Sequence, residues 1–383
     1  MPPAPPSVLV SAGEASGDRY AALLVEELRR RWPETAFFGC TGPRLRNAGV
    51  ETVIPSENLA VVGLIEVLAH LPRIYGEYRK LLRAVRERKP ALAILTDSPD
   101  FHLRVARRLF LWHIPVVYLV APQVWAWRKR RIRHIRRLVS RLLCIFPFEE
   151  QFFLDRRVPA RYIGHPLATL ARPALSKASF LRKHAIPPGR LLVAILPGSR
   201  QGEAARHLPD LLDAVRRLAA EFPVHFLLPA SPNTGSAFFR ERIGSAPIQV
   251  VEGEAWDTMA HSDLALAASG TVTVEAAILG VPMVVFYRVN RLSWLLGRLM
   301  VKIPFFSMVN LIAEKQVVPE LIQGRMTGRN LFAEAARLLR SPESRDSMRR
   351  DLARVAGRLT LEGSPISRAA DEVVQVWEEK NVV

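Results

Sequence analysis

The sequence predicts an α/β protein built as two parallel-sheet domains with a helical C-terminal tail. Three observations lead there. The 383 residues suffice for two domains of ordinary size. Short, continuously apolar runs alternate with helical stretches, as strands buried on both faces do. The alternation breaks once, in a looser segment over roughly 166–190 that holds Pro173, Pro187, Pro188 and Gly189, and then restarts. These features set the boundaries at 1–168, 169–340 and a tail over 341–383.

The apolar run Ser7–Ala12 ends in the turn Gly13-Glu14-Ala15-Ser16-Gly17-Asp18, and a helical pattern follows to about Arg31. This is the strand, glycine-bearing loop and helix that open an α/β unit. Further strands are expected at Ala91–Leu95, Pro115–Val120 and Leu142–Phe146, with helices over 73–89 and 100–113. After the break the strands are Leu191–Leu196, Val224–Leu228, Ile248–Val251, Leu264–Ala267 and Val281–Phe286, and 330–380 reads as helix throughout. Two Rossmann-like halves imply a cleft in which ligands meet the carboxyl ends of strands.

Hydrophobic residues at 49% and charged residues at 23% exclude global disorder. Cys40 and Cys144 cannot form a disulfide framework, no Cys/His cluster has zinc spacing, and two free thiols fit a cytosolic protein. The start lacks the basic region of a signal peptide, and no run of 18 uncharged apolar residues predicts a spanning helix. The net charge of +18 is unevenly placed: residues 1–190 carry 32 Lys and Arg against 15 Asp and Glu, whereas 191–383 carry 22 against 21. The first half therefore suits a polyanion: a membrane surface, a nucleic acid or a phosphorylated substrate. Within it, 128–141 holds eight Lys and Arg in 14 residues just after Trp125 and Trp127. The segment Leu59–Leu71 is apolar on nearly every helical face, and is either a core helix or an interfacial one.

Several short stretches could carry chemistry. In Leu196-Pro197-Gly198-Ser199-Arg200, the glycine lets backbone N–H groups approach an anion and Arg200 offers a fork for phosphate oxygens, although such a turn can also be ordinary surface. Ser269-Gly270-Thr271 opens a helix whose free N–H groups suit a diphosphate, and Glu275, one turn in, can accept from ribose hydroxyls or simply begin a helix. Asp97, just past a strand end, is a candidate general base; it or Asp100 could instead cap the next helix. His165, in Gly164-His165-Pro166, reads as structural or positioning. The Gly13–Asp18 loop lacks the G-x-G-x-x-G spacing of a nicotinamide site.

Together with Asp97-Ser98-Pro99-Asp100-Phe101 and Pro122-Gln123-Val124-Trp125-Ala126-Trp127, these motifs occur in an order and spacing that resembles the lipid-A-disaccharide synthases over essentially the whole chain. The resemblance implies an inverting glycosyltransferase of the GT-B fold. It would join UDP-2,3-diacylglucosamine to 2,3-diacylglucosamine 1-phosphate, forming the β-1,6 disaccharide of lipid A and releasing UDP. It further implies that Asp97 is the essential carboxylate. Arg200, with Ser199, would contact UDP, and Ser269, Gly270, Thr271 and Glu275 would hold its diphosphate and ribose. Ser11 and Glu14 would line the cleft, and Asn310 matches the asparagine of a P-N-L motif in which Val309 here replaces proline. No cofactor is implied, and no D-x-D motif offers a metal site. The family works at the inner face of the cytoplasmic membrane, which agrees with the basic first half and an anionic membrane surface as partner. The tail either packs back on the first domain or is exchanged with a second copy in a homodimer. A related transferase or epimerase using UDP-N-acetylglucosamine is the rival enzyme reading. A nucleic-acid-binding protein is the rival from another class; no aromatic RNA-binding signature or helix-turn-helix accompanies the basic run, so no nucleic acid is expected.

Overall fold

A computed structural model describes residues 3–59, 64–126, 129–232, 234–290, 294–295, 297 and 303–381. The chain divides into two compact units, Met1–Pro166 with Leu361–Val383, and Leu167–Thr360.

The first unit holds a seven-stranded sheet of β1 (Ser7–Ala12), β2 (Ala36–Thr41), β3 (Glu51–Pro55), β4 (Leu92–Thr96), β5 (Val116–Leu119), β6 (Arg141–Cys144) and β7 (Ala160–Tyr162), in the order β3-β2-β1-β4-β5-β6-β7. Every pairing is parallel. All five residues of β4 are buried, as are the four of β5, because helices cover both faces. Leu9, Phe38, Leu95, Val105, Tyr118 and Phe153 belong to one core cluster. The chain winds outward in opposite directions from β1 and β4, so their carboxyl ends form the switch point at which such sheets take ligands.

The second unit repeats the plan with β8 (Leu191–Leu196), β9 (Val224–Ala230), β10 (Ile248–Glu252), β11 (Leu264–Ala268), β12 (Met283–Tyr287) and β13 (Glu320–Ile322). Their order, β10-β9-β8-β11-β12-β13, places the switch point between β8 and β11. The α/β class read from the sequence is the observed one.

The expected tail consists of separate helices. Pro342–Leu359 belongs to the second unit and buries Met348, Leu352 and Val355. Pro365–Asn381 belongs to the first unit, where it packs on the helix Ala15–Arg31. There Arg141 pairs with Glu372 at 2.5 Å and Glu379 at 2.9 Å, Arg31 pairs with Asp371 at 2.6 Å, and Trp377 Nε1 donates to the Pro3 carbonyl at 2.9 Å. Among the described residues no helix is long and apolar enough to cross a membrane. Most of Leu59–Leu71 lies outside what is described: residues 60–63 are outside the described residues, and of 64–70 only the backbone is described, as the start of the helix Leu64–Arg88. Trp127 and Arg128 also lie outside the described residues.

Candidate active site

Asp97 follows the last residue of β4 and sits at the β1/β4 switch point. Its Oδ1 accepts from the Gly13 N–H at 2.8 Å and its Oδ2 from the Glu14 N–H at 3.1 Å, so the turn leaving β1 cradles the carboxylate leaving β4. Burial pushes its pKa up to about 8, and the two N–H donors only partly offset that. The backbone is strained there. Asp97 (φ +53°) and Ser98 (φ +36°) are consecutive left-handed residues, each costing on the order of 1–3 kcal/mol. Pro99 then begins the helix Pro99–Leu111.

The same turn shows why the sequence reads Gly-Glu-Ala-Ser-Gly-Asp. A Cβ on Gly13 would lie 2.3 Å from Ser98 Oγ, and one on Gly17 would lie 1.7 Å from Asp97 Oδ2. The two glycines vacate the space that Asp97 and Ser98 fill. Asp18 serves a different end. Its buried carboxylate accepts from the N–H groups of Gly42, Arg44 and Leu45 at 2.8, 2.8 and 3.2 Å, fixing the start of the helix Pro43–Asn47.

Beneath Asp97 lies a buried network that the sequence did not reveal. The Asp97 carbonyl accepts from Tyr118 Oη at 2.5 Å and lies 3.0 Å from His102 Nδ1. The other ring nitrogen of His102 is 2.7 Å from Ser11 Oγ, and His102 and Ser11 are both fully buried. Ser11, expected to line a cleft, is thus placed under the Asp97 turn, whereas Glu14 is exposed on it.

In the second unit the turns leaving the adjacent strands β8 and β11 form the corresponding switch point. Gly198 is left-handed (φ +119°), and a Cβ there would lie 2.5 Å from Glu203 Oε2, so only glycine fits. Arg200 occupies the exposed N-cap of the helix Gln201–Glu221, and the Ser199 carbonyl accepts from Thr234 Oγ1 at 3.0 Å. Buried His207 bridges the turn, with Nδ1 2.8 Å from the Pro197 carbonyl and Nε2 accepting from the Arg288 N–H at 3.1 Å; burial lowers its pKa. Exposed Gly270 and Thr271 begin the helix Thr271–Ile278, half-buried Glu275 follows one turn in, and Ser269 Oγ donates to the Phe306 carbonyl at 2.9 Å.

Asn310 is completely buried. Its Oδ1 accepts from the N–H groups of Val317 and Val318 at 2.7 and 2.9 Å, and its Nδ2 donates to the Val318 carbonyl at 2.9 Å and Glu320 Oε1 at 2.8 Å. Glu320 also accepts from the Phe306 and Ser307 N–H groups, both at 2.9 Å, so Asn310 organises the segment that braces Ser269. With Val309 at the usual proline position, the helix Met308–Ala313 is capped by Ser307, whose side chain accepts from the Asn310 N–H.

Of the remaining candidates, Asp100 is exposed and pairs with Arg131. His165 is buried against Tyr20 and Phe146, with its pKa pushed down to about 3. Glu149, unnoticed in the sequence, is fully buried; it accepts from Trp125 Nε1 at 3.0 Å and the Phe146 N–H at 3.2 Å, and burial raises its pKa to about 8. It ties the loop after β5 to the loop after β6. Cys40 and Cys144 are free and buried.

The two units, each a parallel sheet with a candidate site at its switch point, define the class: the chain has the GT-B fold. Over 99% of its length and of the other chain it matches a calicheamicin glycosyltransferase structure at TM-score 0.61 with 18% identity. Over 97% of its length and all of the other chain it matches the UDP-GlcNAc 2-epimerase of Neisseria meningitidis, bound to UDP-GlcNAc, at TM-score 0.64 with 14% identity. These likenesses establish the fold, and sequence then selects within it. A lipid-A-disaccharide synthetase family model matches residues 8–370. The lipid-A-disaccharide synthase of Solibacter usitatus is 63% identical over 97% of this chain and 98% of its own length, and that of Myxococcus xanthus is 43% identical over 97% and 98%. The chain belongs to the lipid-A-disaccharide synthase family.

Proposed function

We propose that this protein transfers the sugar of UDP-2,3-diacylglucosamine to the 6-hydroxyl of 2,3-diacylglucosamine 1-phosphate, with inversion, releasing UDP and forming the β-1,6 lipid A disaccharide. Family membership supports the reaction, and the observation that carries the chemistry is Asp97, a carboxylate held by two backbone N–H groups at a switch point with its pKa raised to about 8. A base of that strength is matched to a hydroxyl that loses its proton only as it attacks. The acceptor oxygen bonds to the anomeric carbon, its proton passes to Asp97, and the bond from that carbon to the UDP oxygen breaks with its electron pair leaving on UDP. In the second unit Arg200 and the first N–H groups of the helix Thr271–Ile278 oppose the growing diphosphate charge, while Glu275 takes the ribose hydroxyls.

Both lipid substrates reside in a bilayer, so the same reading places the enzyme on the inner face of the cytoplasmic membrane. The +18 charge and the exposed Leu71, Tyr75, Phe110 and Leu111 of the first unit support this. The reaction is tested by mass spectrometry of the purified protein with both lipid sugars. Disaccharide and UDP should form together, and Asp97→Asn should lose roughly 10²–10⁴-fold in turnover while UDP affinity stays near normal. Near-wild-type turnover in that variant overturns the base assignment.

A further inference from the structure

We infer that His102 is a positioning residue for the transfer reaction: it locks the left-handed Asp97 turn by donating from Nδ1 to the Asp97 carbonyl while Ser11 holds its other nitrogen. The inference rests on Asp97 as the base.

Three observations carry it. A carbonyl oxygen only accepts, so the contact between His102 Nδ1 and the Asp97 carbonyl, 3.0 Å long, places the ring proton on Nδ1. The ring is enclosed and therefore neutral, its pKa pushed down to about 4 by burial, so Nε2 accepts the Ser11 hydroxyl proton across 2.7 Å. One tautomer satisfies every atom of the relay from β1 through the helix Pro99–Leu111 to the end of β4. Second, the Asp97 carbonyl has left the β4 ladder, and its two lone pairs are taken by His102 and Tyr118. Without such partners an unfavourable pair of left-handed residues would relax, turning the carboxylate away from the Gly13 and Glu14 N–H groups. Third, the second unit repeats the device. There His207, on the helix after β8, reaches the Pro197 carbonyl from Nδ1 and the Arg288 N–H from Nε2, and so holds the turn that carries Arg200.

The two halves of the relay can be cut separately. Asparagine carries an N–H where the imidazole has Nδ1, and glutamine reaches to the position of Nε2. His102→Asn thus keeps the bond to Asp97 and loses the one to Ser11; His102→Gln does the reverse. Turnover at saturating substrate should stay within about tenfold of wild type in His102→Asn and fall roughly 10²-fold in His102→Gln and His102→Ala, as expected when a reacting group is misplaced by about 1 Å. Melting temperatures of the Asn and Gln variants should match, and KM for both substrates should hold. In an Asp97→Asn background, His102→Gln should cost nothing more, because its effect passes through that carboxylate. Equal turnover in the Asn and Gln variants, or losses that follow melting temperature, overturn the inference. If Asp97→Asn alone is active, the base assignment has failed instead, and the two failures are told apart.

Discussion

Gly17→Ala tests most directly whether the Gly13–Asp18 turn exists to house Asp97. The added methyl would lie 1.7 Å from Asp97 Oδ2, 2.8 Å from its Cγ and 3.1 Å from Thr96 Cγ2. Ordinary contact begins near 3.4 Å, so the carboxylate oxygen must retreat by about 1.7 Å, the difference between the two distances. That exceeds what its hydrogen bonds of 2.8 and 3.1 Å to the Gly13 and Glu14 N–H groups can absorb. The side chain has two free torsions and can swing away, so the fold need not break. Losing the two bonds costs about 1 kcal/mol each. Alanine in the first turns of the helix Ala15–Arg31 returns up to about 1 kcal/mol relative to glycine. Stability should therefore change by no more than about 1–2 kcal/mol, while displacing the base by over an ångström should cut turnover at least roughly 10²-fold. The assay is disaccharide formation by mass spectrometry at saturating substrates, with thermal melting and calorimetric UDP titration on the same preparation; UDP affinity should not move. Gly357→Ala, in the helix Pro342–Leu359 with nothing within 4 Å of the added carbon, is the control and should gain stability with full activity. Turnover within threefold of wild type in a folded Gly17→Ala protein would refute the reasoning.

Three further outcomes are expected. With the Asp97 pKa at about 8, kcat/KM should rise about tenfold per pH unit below 8 and level off above it, and Asp97→Asn should abolish that limb; a limb near pH 4 would mean the carboxylate is ionised far earlier. Arg200→Ala should weaken UDP at least about tenfold, about 1.4 kcal/mol, and slow the chemistry as well; unchanged UDP affinity by calorimetry counts against the 197–200 turn as the diphosphate site. Glu149 has a folded pKa of about 8 against an ordinary 4.5, so the stability it contributes is complete below about pH 4.5 and is lost as pH rises through 8. The melting temperature should fall across that window, and Glu149→Gln should flatten part of the fall; equal slopes in the two proteins would show that the carboxyl is not held protonated.

How much of this was legible in the sequence depended on whether the cause was local. β1 and β8 begin and end where their apolar runs do, because a strand buried on both faces must be apolar from end to end. β2 is not legible because Gly39 interrupts Ala-Phe-Phe-Gly-Cys-Thr, and β7 is not because three residues make no pattern. At the site, Asp97 was readable since a carboxylate just past a buried strand is locally anomalous. The purpose of Gly13 and Gly17 was not, because the atoms they make room for come from a strand some 80 residues later that becomes a neighbour only through the β1/β4 switch. His102 was hidden for a different reason. A lone histidine on the apolar face of a helix reads as core, and it is core by burial. What separates it from filler is the direction of one N–H, fixed by a carbonyl that has left its ladder. Asn310 shows the converse: its motif marked the residue, but only the segment folded around it shows that its side chain is committed to Val317, Val318 and Glu320. The motifs thus include residues whose side chains are committed inside the fold, as those of Ser11 and Asn310 are. Arg200 and Glu275 are instead proposed to meet the nucleotide, and the calorimetric UDP titration of Arg200→Ala tests this for Arg200.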